Sequence, residues 1–191
     1  MSNNTPIGIT LFSLIIFYAC LTDFDLVQGF WGPNTVWLNN GNGTFTNSGQ
    51  ALGTAESAGI DLGDLNGDGA LDVFVTNANT SNQVWFNDGA GNFNNSGQGL
   101  GDSDYWRVAL GDFDQDSDLD ALVVRNGFYT YDNLYNQVWI NDNQGNFTSN
   151  DQFKGYNESW GLALGDLDGD NDLDAFIAND RANKVWPNRR Q

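Results

Sequence analysis

Apolar and polar positions recur in one order along most of the chain. Ile60/Leu62, Val108/Leu110 and Leu162/Leu164 are apolar pairs with one residue between them, the period of half-buried strands. Each pair leads through an acidic stretch into a dense run: LDVFVTN, LDALVVRN or LDAFIAN. These runs are rich in β-branched and aromatic residues and too short for amphipathic helices. A Val-Trp pair comes next, at Val36-Trp37, Val84-Trp85, Val138-Trp139 and Val185-Trp186. The first three pairs run into a polar turn and a Phe: NNGNGTF, NDGAGNF and NDNQGNF. Asn40-Gly41 and Asp88-Gly89 supply the positive φ angles of tight hairpins, and Asp142-Asn143 takes the same place in the third copy. One period therefore predicts four strands, and nothing beyond Trp31 predicts a helix of three turns.

The Val-Trp pairs are 48, 54 and 47 residues apart, and the first Asp of each acidic stretch follows its Val by 28 (36 to 64, 84 to 112, 138 to 166). A period of about 40 to 50 residues with strand content points to propeller blades or a similar β-repeat. The expected fold is all-β, with four-stranded blades of propeller type in about three repeats. The domain spans 31–191, with approximate copies at 31–79, 80–126 and 127–179 and a partial one at 180–191. Counted from 33 to Trp186 this gives thirteen strands, whereas propellers close with about four to eight blades of four strands. The chain is then a piece of a longer protein with further blades, or chains associate to complete a ring, or an open stack suffices.

Residues 1–30 differ in kind. Ile7 to Leu21 is largely apolar over 15 residues, the length of a signal-peptide core and short for a membrane span. Met1–Pro6 carries no Lys or Arg. The segment is expected to be a leader, cleaved, lipidated at Cys20 or retained as an anchor. In each case it stays outside the folded core and is the only membrane contact. A secreted or cell-surface location follows from it.

Charge narrows the function. Seven Lys and Arg face 25 Asp and Glu, a net charge of −18, which excludes a nucleic-acid binder. His is absent and there is one Cys, so the usual general base and any multi-thiolate zinc site are missing. Thirteen of the 25 carboxylates fall in three nine-residue windows, DLNGDGALD (64–72), DFDQDSDLD (112–120) and DLDGDNDLD (166–174). Oxygen-bearing side chains occupy positions 1, 3, 5 and 9 of each. Hard cations such as Ca²⁺ take six to eight oxygens, and a tight loop with alternate acids turned inward supplies them. Two carboxylates about 5 Å apart repel by roughly 3 kcal/mol at an effective dielectric near 20, so a bare loop is unfavourable. An EF-hand does not fit: position 12 is Val75, Val123 or Ile177 where a bidentate Glu is needed.

The strand–acidic loop–strand unit followed by NQVWxNDGxGxF resembles the FG-GAP/VCBS-type repeat of integrin-α-like β-propellers, over roughly 31–188. The literal Phe-Gly and Gly-Ala-Pro signature is missing. The resemblance implies one Ca²⁺ per loop, about three in all, bound by side chains at positions 1, 3, 5 and 9 and the main-chain carbonyl at position 7. Those residues are Asp64, Asn66, Asp68 and Asp72 with Ala70; Asp112, Asp114, Asp116 and Asp120 with Asp118; and Asp166, Asp168, Asp170 and Asp174 with Asp172. Asn66 leaves the first loop one ligand charge poorer and marks it as the weakest site.

Binding is the function these residues favour: an extracellular, non-catalytic calcium-binding module for recognition of, or adhesion to, a protein or glycan. The six-residue insertion makes Gly127–Tyr135 the most individual stretch, and its Phe128, Tyr129, Tyr131 and Tyr135 suit stacking on sugars or packing into a protein groove. Trp106 and Trp160 begin equivalent strands and are further ligand candidates, while Trp37, Trp85, Trp139 and Trp186 are expected in the core. The alternative is a fragment of a calcium-dependent polysaccharide lyase or hydrolase. That chemistry needs a basic residue near the metal, and Arg107, Arg125 and Lys154 are the candidates in or between the blades.

Overall fold

The computed structural model describes residues 14–17, 26–30, 32–103, 105–125, 135–150 and 158–188, with backbone only at 14–17, 26–30 and 105–106. Within them lie fifteen strands and no helix. They form four antiparallel sheets, each a meander of consecutive strands. The first holds β1 (Leu14–Phe17), β2 (Leu26–Phe30), β3 (Gly32–Asn39) and β4 (Phe45–Leu52). The second holds β5 (Ser57–Gly63), β6 (Asp72–Asn77), β7 (Gln83–Asn87) and β8 (Phe93–Asn95). The third holds β9 (Tyr105–Gly111), β10 (Asp120–Arg125), β11 (Gln137–Ile140) and β12 (Thr148–Asn150). The fourth has three strands, β13 (Ser159–Gly165), β14 (Asp174–Asn179) and β15 (Lys184–Trp186).

The all-β expectation holds, and its strand count is corrected. β1 and β2 lie in the stretch expected to stand outside the folded core, and they complete the first sheet. The pairing explains why. Leu26 faces Trp37 across the β2–β3 ladder as Val73 faces Trp85, Ala121 faces Trp139 and Ala175 faces Trp186. An apolar run upstream of a Val-Trp strand thus serves as a sheet partner for it.

Packing runs from each sheet to the next, with β5 against β9 and β9 against β13, and the row does not close into a ring. The apolar cores lie between sheets. Val36 and Leu52 meet Ile60, Leu62, Val73 and Val75. Leu65, Phe74, Val84 and Leu100 meet Ala121, Val123, Trp139 and Phe147. Leu122, Val124 and Val138 meet Ala175 and Ile177. Of the four register tryptophans only Trp139 is buried, while Trp37, Trp85 and Trp186 are half-buried. Branched Val side chains fill the gaps between sheets, and Trp85 and Trp186 pack half-buried against the clusters there.

Polar side chains bridge the same gaps. Gln50 donates to the carbonyl of Gly91 at 2.6 Å and accepts the N–H of Phe93 at 2.8 Å. One sheet on, Gln98 repeats the clamp on Gly145 (2.6 Å) and Phe147 (3.0 Å). Asp61 on β5 accepts the N–H of Leu110 on β9 at 2.9 Å. A hairpin held at both a carbonyl and an N–H has its position along the neighbouring sheet fixed, which is how adjacent acidic loops come to lie side by side.

Candidate metal centre

Each acidic loop joins the first and second strands of its sheet: β5 to β6, β9 to β10, β13 to β14. The three share one hydrogen-bonding plan. The carboxylate at position 1 accepts N–H groups from positions 4 and 6. Asp64 takes Gly67 and Gly69 (both 2.8 Å), Asp112 takes Gln115 (2.5 Å) and Ser117 (3.1 Å), and Asp166 takes Gly169 (2.7 Å) and Asn171 (3.1 Å). Those donors sit where the backbone is left-handed, with φ of 76° and 87° in the first loop, 66° and 77° in the second, 86° and 67° in the third. Gly adopts that region freely and other residues at a cost of about 1–2 kcal/mol. The position-1 Asp therefore supplies the bonds that hold Gln115, Ser117 and Asn171 there.

The carboxylate at position 9 is buried in all three loops. Asp72, Asp120 and Asp174 each accept the position-2 N–H, from Leu65 (3.0 Å), Phe113 (2.9 Å) and Leu167 (2.8 Å). Each also accepts a backbone N–H from an Asn that follows the Val-Trp pair: Asn87 (2.8 Å), Asn141 (2.9 Å) and Asn188 (2.8 Å). Sequence reading missed these asparagines, although their recurrence three residues after each Val was visible. Their side chains do a second job. Asn141 donates to the carbonyl of Leu65 at 2.9 Å and Asn188 to that of Phe113 at 2.8 Å, both position 2 of the preceding sheet's loop. Gln115, also missed, donates to Asn171 and Asp172 of the third loop.

The ligand positions converge to different degrees. Carboxylate oxygens of Asp112, Asp114 and Asp116 lie within 4.8 Å of one another, as do those of Asp166, Asp168 and Asp174. No such triple forms in the first loop, where Asn66 donates to Asp68 at 3.0 Å instead of adding a charge. Asp120 and Asp170 stand outside their loops' triples. Position 7, expected to offer only its carbonyl, has side chains that are buried at Asp118 and Asp172, while Ala70 donates its N–H to Asp68 at 2.8 Å.

Electrostatics follows depth. Burial pushes Asp72 and Asp120 up to about 6, against the pull of their two N–H donors. Burial, then the charges of Asp116 and Asp120, push Asp118 up to about 7. Asp114 is raised by desolvation and by Asp116. Asp174 is lowered, because the N–H groups of Asn188 and Leu167 outweigh burial in the last sheet. The donor set fits a hard cation: clustered carboxylates, proton affinities raised by crowding, and a buried Asp118 oxygen with no hydrogen-bond partner. Asp64, Asp112 and Asp166 shape their loops, the remaining acids supply negative oxygens, and a bound ion would cancel their repulsion.

The other sequence candidates fall elsewhere. Phe128, Tyr129, Tyr131 and Lys154 lie outside the described residues, as does the Trp106 side chain. Tyr135 is half-buried, and Trp160 is exposed on β13. Arg107 donates to the carbonyl of Ala58 at 2.7 Å, and Arg125 is buried at the end of β10. Both arginines thus have structural surroundings.

No curated protein matches the chain. The family model for the FG-GAP-like repeat matches it twice, over residues 22–75 and 64–123. The first match takes in β2, and the second covers the whole of the second sheet's loop and outer strands. The two together span 22–123 of the 191 residues, more than half. With four meander sheets and three acidic loops that share one hydrogen-bonding plan, the chain belongs to the FG-GAP-like repeat family.

Proposed function

We propose that this repeat module binds Ca²⁺ in its acidic loops and uses the stiffened stack outside the cell to recognise a protein or glycan, without catalysis. One observation carries the reading. Two loops bring three carboxylates within 4.8 Å of each other on backbones already shaped by their own N–H donors. At roughly 3 kcal/mol per close pair, such convergence calls for a neutralising cation. Ca²⁺ suits an all-oxygen set better than Mg²⁺, which keeps several waters and needs few protein ligands. Recognition is the role that repeats of this family suggest, and the exposed indole of Trp160 offers a contact surface.

Calorimetry on EGTA-stripped protein tests the reading. Ca²⁺ should bind with measurable heat and raise the melting temperature, and binding without heat should still appear as protection. If neither uptake nor thermal gain is seen, the proposal fails.

A further inference from the structure

A side chain at loop position 4 sets the second acidic loop apart. That position lies outside the expected ligand set, and it is Gly67 in the first loop, Gln115 in the second and Gly169 in the third. Gln115 therefore stands in left-handed backbone, at φ 66°, where a residue with a Cβ is strained. Asp112 holds its N–H there at 2.5 Å. Its carboxamide leaves the loop and donates to the carbonyl of Asn171 at 3.3 Å and to the carboxylate of Asp172. Both acceptors are woven into the third loop, with the N–H of Asn171 bonded to Asp166 (3.1 Å) and that of Asp172 to Asp170 (3.0 Å). One side chain thus joins the two loops whose carboxylates converge within 4.8 Å.

The joint between the first and second loops supplies the contrast. Both joints carry an asparagine bridge, Asn141 to Leu65 and Asn188 to Phe113. The second joint adds the amide from position 4. Gly67 has no side chain to offer, and a Cβ there would meet Asn143 Oδ1 at 3.0 Å. Asp118, the register mate of Asp172, is 6 % exposed, and one of its oxygens has no hydrogen-bond partner among the described residues. A buried position-7 carboxylate is therefore satisfied where Gln115 reaches it and left short of a donor where glycine takes that place.

We infer that Gln115 is a positioning residue for the third loop's cation site and couples ion binding in the second and third loops. This rests on the proposed function. The amide's placement is conditional, because Asp112 sustains the left-handed turn through Gln115 and Ser117. A cation drawing Asp112, Asp114 and Asp116 together fixes that turn and presents the amide to Asn171 and Asp172. An open second loop withdraws it, and position 7, whose main-chain carbonyl is expected to face the ion, loses the contact that sets its direction. Coupling between two sites is reciprocal, so an ion in the third loop favours the closed second loop by the same factor.

NMR titration with chelator-buffered Ca²⁺ tests it, the backbone amides of Gly67, Ser117 and Gly169 following the three loops separately. Gln115→Gly relieves the strained φ and copies the loop path already taken by Gly67 and Gly169, so the fold should stand. Third-loop affinity should fall by roughly fivefold or more, the low end of ordinary site–site coupling, while the first loop does not move. Asp114→Asn should weaken the third loop in the wild-type background and leave it unchanged once Gln115→Gly is present. An unchanged third loop in folded Gln115→Gly overturns the inference, as does an equal effect of Asp114→Asn with and without Gln115. Ca²⁺ uptake by three independent loops would end the coupling and leave the proposed function standing. No uptake in any loop would overturn both.

Discussion

The loops at 64–72 and 112–120 have one backbone path and two compositions. The first places Gly67 and Gly69 in the left-handed positions, and the second places Gln115 and Ser117 there. The first has three acids and the second five. Yet positions 1 and 9 accept the same donors in both. Shape is thus set by the two invariant-in-register carboxylates and their N–H partners, and charge at positions 3 and 7 is free to vary. The first loop is relaxed and weakly charged. The second is strained and strongly charged, so it stands to gain more from a cation.

Calcium gives the largest expected separation between them. A site held at a hundredfold excess over its Kd stabilises by about 2.7 kcal/mol. A titration should resolve tight sites in the second and third loops before a weaker one in the first. Asp114→Asn should turn the second loop into a copy of the weak class, and Asn66→Asp should strengthen the first. Equal affinities in all three would break the comparison.

Asp120→Ala should come next, lowering stability by about 3 kcal/mol even in EGTA, because it strands the part-buried N–H of Phe113 and the buried N–H of Asn141. Chemical denaturation reads this directly, and a loss below 1 kcal/mol would show that position 9 does not set the loop.

Proton linkage gives a subtler contrast. Asp72 and Asp120 near 6 and Asp118 near 7 are raised above their ordinary 3.8, so the folded state binds protons more readily than the unfolded one. The destabilisation is fully present above pH 7 and is relieved as pH falls towards 4. Stripped protein should therefore melt higher at pH 5.5 than at pH 8, and Asp118→Asn should shrink that difference. A melting temperature that falls over the same interval would contradict it.

The smallest effect is a reciprocal exchange. Ser117→Gly should stabilise by about 1 kcal/mol and Gly69→Ser destabilise by a similar amount, since each changes a left-handed position without new contacts. Thermal melts of the two variants would move in opposite directions.

Much of this was legible in the residues. A period near 48, alternation before each acidic window and dense apolar runs after it are direct imprints of strand geometry, and they gave the sheets and the loops between them. The strands at Leu14–Phe17 and Leu26–Phe30 were not legible, because an apolar run without flanking charge is as good a leader as it is a strand until its Val-Trp partner is placed beside it. The clustering of the loop acids could be read from spacing, since each loop is local in sequence. Asn87, Asn141 and Asn188 could not be given a role, because their partners lie in other strands and other sheets.

Asn141 and Asn188 make each loop answerable to its neighbour. One such residue grips the acid that closes its own turn and the carbonyl that opens the previous one, so slackening either turn loosens both. Free energy in such a row accumulates joint by joint, and removing the Asn141 amide should divide melting into two transitions where one cooperative event stood before.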